Sequence, residues 1–151
     1  MGDGSKTRPT TRVDLRWEGG HKFTASDAYG HNITVDAPEK DGQPFDGFSP
    51  GELLLTSLAA CSGIDVANIL KKQRQKVTGV QIHVTGVQDP KAPWMWKEIH
   101  LEYVIYGKAL KKPAVERSIH LSETKYCSIA ASLGEGTKII SEYKLVDKPN
   151  E

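Results

Sequence analysis

The chain has 151 residues, with 20 Lys+Arg against 19 Asp+Glu, 38% apolar and 26% charged. That length and composition fit a globular domain burying roughly 70% of its unfolded surface. A formal charge of +1 argues against non-specific nucleic-acid binding, which needs a strong basic field. No unbroken run of about 18 apolar residues marks a membrane span, and the polar stretch from Met1 to Arg12 lacks the apolar core of a signal peptide. Cys61 and Cys127 are too few for a secreted disulfide scaffold, so a cytoplasmic setting is expected. Neither lies in a C-x-x-C pair and the five histidines are scattered, so no metal site is expected.

Residues 1–10 read as a flexible tail and 11–151 as a single domain. Thr11 to Trp17 alternates as a strand, with Val13, Leu15 and Trp17 on one face and Arg12 and Arg16 on the other, the usual solvent side. Gly19-Gly20 makes a turn. His21 to Ser26 and Asn32 to Asp36 are two further strands, and Pro38 to Phe48 is a loop. Ser49-Pro50-Gly51-Glu52 is a capping box with proline at the first helical position. The helix it opens runs to about Gln75, where Lys71, Lys72 and Arg74 suit a solvated C-terminus. Val80, Ile82 and Val84 mark a strand. Asp89 to Trp96 is a loop, whose Trp94, Met95 and Trp96 could line an apolar mouth but more commonly serve as anchors. Ile99, Leu101, Tyr103 and Ile105 mark the next strand. Lys111 to His120 and Tyr126 to Leu133 are short helices, and Lys138 to Val146 is a final strand. The order β-β-β-α-β-β-α-α-β predicts an α+β fold with mainly antiparallel sheet.

Between Leu53 and Leu70 the long helix is apolar around most of its circumference, so it needs cover on nearly all sides. One chain with one sheet does not supply that, which predicts a dimer with this helix at its centre. Ser57, Cys61, Asp65 and Asn68 form a polar stripe at spacings of 4, 4 and 3. Read from the helix alone, Cys61 is a small buried hydrophobe, and Asp65 has a structural hydrogen-bonding role. Cys127 lies near a helix start and beside Lys125, and both features favour thiolate. On local grounds it is the better placed nucleophile, with an ordinary helix-start cysteine the equal alternative.

The run Leu53-Leu54-Leu55-Thr56-Ser57-Leu58-Ala59-Ala60-Cys61 after Ser49-Pro50, with Tyr126-Cys127-Ser128 placing the second cysteine 66 residues on, resembles the OsmC/Ohr family. Ser62 to Val66 and Ser122 to Ser128 look like its YhfA-type branch. The resemblance implies an OsmC-like fold, an intertwined homodimer with antiparallel sheets wrapped around two long central helices. It implies thiol peroxidase chemistry on organic hydroperoxides in oxidative-stress defence, with no cofactor, metal, nucleic acid or membrane involved. Cys61 would be the peroxidatic thiolate and Cys127 the resolving thiol, a reversal of the local ranking. A dithiol reductant, lipoyl-type or thioredoxin-like, would reopen the disulfide.

The family also uses an arginine and a glutamate around the first cysteine, which points to Arg16, with Arg12 as the alternative, and to Glu52 here. The family carboxylate usually follows the motif proline directly, where this chain has Gly51. Along a regular helix Glu52 lies about 13 Å and half a turn from Cys61. A non-catalytic, small-ligand-binding or redox-sensing dimer is therefore the alternative.

Overall fold

The computed structural model describes residues 8–147, so most of the expected tail lies outside the described residues. Arg8 to Thr10 are exposed and irregular. Two compact units divide between Leu53 and Leu54, in the first turn of the long helix.

The first unit is an antiparallel meander of β1 (Val13–Gly19), β2 (Lys22–Asp27) and β3 (Asn32–Val35). Gly19 and Gly20 turn the chain between β1 and β2 at φ +107° and +53°, a region that side chains disfavour. Asp27 closes the second turn by accepting the backbone N–H of Tyr29 at 2.8 Å and of His31 at 2.9 Å. The long loop that follows is fastened to β3: Phe48 N–H donates to the Thr34 carbonyl at 3.2 Å, and Asp36 accepts from Asp46 N–H at 3.0 Å. The apolar face expected on β1 is present but uncovered. Val13, Leu15 and Trp17 are all more than half exposed.

The second unit holds a three-stranded sheet ordered β4–β5–β6, from β4 (Lys76–Gln88), β5 (Trp96–Lys108) and β6 (Lys138–Val146). β4 pairs antiparallel with β5, but β6 runs parallel to it, with Ile99 opposite Ile139 and Ile105 opposite Leu145. The crossover that a parallel pair requires is built from α2 (Lys112–Leu121), a π-turn over Ser122–Tyr126 and α3 (Ser128–Leu133). Central β5 buries alternate residues, Ile99, Leu101, Tyr103 and Ile105. They meet Leu58, Val66 and Leu70 of α1 (Pro50–Lys72) and Val115 and Ile119 of α2. Gly107 is where β4 comes closest: a Cβ there would stand 2.2 Å from the Lys76 carbonyl oxygen. Gly107→Ala is expected to cost at least about 2 kcal/mol in a urea unfolding curve, since backbone must move to admit the methyl.

The capping box forms as expected. Glu52 N–H donates to Ser49 Oγ at 3.3 Å, and Ser49 N–H donates to Glu52 Oε2 at 2.8 Å. The helix stops three residues before the expected Gln75. Arg74 takes φ +57°, its N–H bonds Lys71 O, and Gln75 N–H reaches back to Leu70 O, a Schellman ending with arginine where glycine is usual. No single apolar run flagged α1 as a possible span, yet it is long and apolar enough by length and composition to cross a membrane. Its Leu58, Val66 and Leu70 instead fill the protein core, while Ala60, Ile64 and Ala67 on another side are exposed.

Candidate functional site

Cys61 sits mid-way along α1, half-buried, and packs on the core cluster that includes Cys127. Cys127 is only 3% exposed. It is the N-cap of α3, and its Sγ accepts Ala130 N–H at 3.4 Å. The two cysteines lie in one cluster, near enough for the thiols to influence each other. Burial, together with the neighbouring Cys61 thiol, pushes Cys127 up to about 11 against an ordinary 9.0, although the Ala130 and Ile129 amides pull the other way. This runs against the local expectation that the surroundings of Cys127 favour its thiolate. Lys125, expected to help, lies over the Tyr126 ring at 5.4 Å from its centre, and α3 has only six residues to supply a dipole.

At pH 8 a thiol at 11 is about 0.1% ionised, roughly a hundredfold less than one at 9. With Cys61 half-open and Cys127 closed and raised, iodoacetamide is expected to modify Cys61 at least about tenfold faster than Cys127 at pH 8. The Cys127 rate should rise about tenfold per pH unit until near pH 11. The folded thiol is raised, so the stability from keeping it protonated is complete below pH 9 and lost between 9 and 11.

A buried polar chain joins α1 to the π-turn that precedes Cys127. Ser122 Oγ donates to Asp65 Oδ2 at 3.0 Å, Ser62 Oγ lies 3.0 Å from Ser122 Oγ, and Tyr103 OH meets Ser62 Oγ. Each hydroxyl has one proton, and that of Ser122 goes to the carboxylate, so Ser62 donates to Ser122 and Tyr103 donates to Ser62. Ser62, Ser122 and Tyr103 are all within 2% of complete burial. Desolvation pushes the Tyr103 phenol up to about 12, so it remains a donor. Asp65 thus has the structural role expected of it. The other three were missed by residue reading: Tyr103 counted only as an apolar strand position and Ser62 only as a small neighbour of Cys61.

Asn68, next along the stripe, is exposed and lines a polar groove with Lys72, Arg117 and Tyr126. Arg16 and Glu52 both lie in the first unit. Arg16 is exposed and holds Glu18 at 2.8 Å. Glu52 is held by Ser49, whose N–H keeps its carboxyl below the usual range. Of the four residues proposed from the sequence, Cys61 and Cys127 are brought into one cluster. An apolar opening of about 510 Å³ runs between α1 and β4 and is lined by small or branched residues including Ala60, Gly63, Ile64 and Ile82.

Residues 39–142 match the family model described as OsmC-like protein. Protein YhfA of Escherichia coli strain K12 is 36% identical over 132 residues, covering 87% of this chain and 96% of that protein. An OsmC-like protein from Mycoplasma pneumoniae superposes with a TM-score of 0.80 at 20% identity, over 93% of this chain and 100% of that one. The organic hydroperoxide resistance protein OhrB of Bacillus subtilis does so at 0.63 and 19%, over 89% and 98%. These two share the fold. With the family model spanning more than two thirds of its length, the chain belongs to the OsmC-like family.

Proposed function

We propose that this protein is a thiol peroxidase that reduces organic hydroperoxides, with Cys61 peroxidatic and Cys127 resolving, in oxidative-stress defence in the cytoplasm. The observation that carries the reading is the pair of neighbouring thiols with unequal burial, Cys61 half-open and Cys127 closed. Cys61 attacks the terminal peroxide oxygen, the O–O bond breaks, and the alcohol leaves on taking a proton. The resulting sulfenic acid then condenses with Cys127, releasing water. A dithiol, lipoyl-type or thioredoxin-like, reopens the disulfide. Arg16 is proposed as the cation that holds the Cys61 thiolate and the departing oxygen, and Glu52 as the carboxylate that orients it.

Family standing supports the redox class: members include proteins named for organic hydroperoxide resistance. Proteins of the family are commonly homodimers, and a homodimer is proposed here, closing over the uncovered face of α1. The test is consumption of cumene hydroperoxide and of hydrogen peroxide by the reduced protein with a dithiol donor. Turnover faster with the organic peroxide supports the reading, and a rate no higher than that of the dithiol alone refutes it. A second reading, a non-catalytic redox-sensing or ligand-binding dimer, is favoured by one observation: the Glu52 carboxylate is already engaged by Ser49.

A further inference from the structure

Ser122 is wholly buried and bonded to both cysteine-bearing segments. Its carbonyl accepts Cys127 N–H at 2.8 Å, the five-residue bond of the π-turn. Its hydroxyl donates to Asp65 at 3.0 Å and accepts from Ser62 at 3.0 Å. Ser62 and Asp65 follow Cys61 on α1 by one and four residues, so they flank its helical turn. One residue thus fastens the turn that carries Cys61 and the amide that carries Cys127. The π-turn matters as well. An α-helical register would pair Cys127 N–H with the Glu123 carbonyl and swing the thiol by about 100°, one residue's rotation.

We propose that Ser122 is a positioning residue for closure of a disulfide between Cys61 and Cys127, with Ser62 as its second anchor. This deepens the reading of the two thiols as a redox pair and rests on it. When a sulfenic acid closes, the Cys127 sulfur attacks the Cys61 sulfur, the S–S bond forms as the S–O bond breaks, and the Cys127 proton leaves with the hydroxide as water. In a dithiothreitol buffer the same bond forms while oxidised dithiothreitol is reduced to the dithiol, so no peroxide is required. Both routes depend on the sulfurs being held within reach, where misplacement by about 1 Å costs up to about 10²-fold.

The test equilibrates the full chain with mixtures of oxidised and reduced dithiothreitol, traps the thiols, and reads the Cys61–Cys127 disulfide by mass. Ser122→Ala is expected to shift the equilibrium toward the dithiol by about tenfold or more. Ser62→Ala, which leaves the other two Ser122 bonds in place, should shift it by a smaller factor. Ser118→Ala is the burial control. It is as buried as Ser122, with its hydroxyl bonded to Ala114 O at 2.7 Å and to Gln73 at 2.9 Å, away from both cysteine segments. It should leave the equilibrium within about twofold. An unshifted Ser122→Ala, or a Ser118→Ala shift as large, overturns the proposal. Should Ser122→Ala not fold, Ser62→Ala against Ser118→Ala decides. A wild type that closes the disulfide in this buffer yet consumes no peroxide removes the peroxidase reading alone.

Discussion

Cys61→Ser is expected to lower hydroperoxide turnover by at least about 10³-fold, the scale on which removing a covalent nucleophile acts. Cys127→Ser should behave differently. Its Cys61 can still be oxidised, so about one equivalent of peroxide per chain is consumed in a burst, after which turnover slows and a sulfenic acid accumulates that dimedone traps. The asymmetry follows from burial. Cys127 holds its proton to about pH 11, which suits a group that reacts only after its neighbour has been oxidised. Cys61 has the more open sulfur. Stopped-flow peroxide consumption with each serine variant distinguishes the roles. A burst retained by Cys61→Ser and lost in Cys127→Ser would reverse the assignment.

Local reading went wrong on Cys127 for a physical reason. A helix start and a lysine are visible in the sequence, but desolvation is set by tertiary packing, here by the crossover folding Cys127 against α1. Burial outweighed both signals. The same limit hid the parallel pairing of β5 and β6: alternation tells which residues share a face, not which way a neighbouring strand runs. Signals confined to a few residues fared better. The capping box at Ser49 and Glu52 formed, and β6 spans the expected Lys138–Val146. The helix expected from Tyr126 begins instead at Ser128, since the π-turn takes up Ser122–Tyr126. The end of α1 was overshot because Arg74 occupies a left-handed position that no glycine announced. The cysteine pair itself was legible only through the family's spacing, because 65 residues of intervening chain leave their approach to the fold.

Ala60→Glu is the substitution expected to change the assembly most. Ala60, Gly63, Ile64 and Ala67 form one side of α1 that the chain leaves open, with Ile64 63% exposed and Val80, Ile82 and Val84 of β4 beside it. An opening of about 510 Å³ with this lining is costly to leave in water. Its small residues allow another backbone to approach closely. The homodimer proposed above would seat a second copy of α1 here, because the surface is apolar, narrow and rich in small side chains, and a twofold contact brings the same residues together. That symmetry doubles the penalty of a mutation at the contact. Two carboxylates would enter a dry interface without partners, at several kcal/mol each, enough to weaken association by at least about 10³-fold. Light scattering at micromolar concentration should then read one chain mass for Ala60→Glu and twice that for the wild type. Gly63→Ala offers a gentler probe of the same helix from within. Its methyl would meet only the end of Ile82 at 2.6 Å, a flexible tip able to move, so the fold should persist. An Ala60→Glu protein that still assembles would put the contact elsewhere, with the exposed row Val13, Leu15 and Trp17 as the next surface to alter.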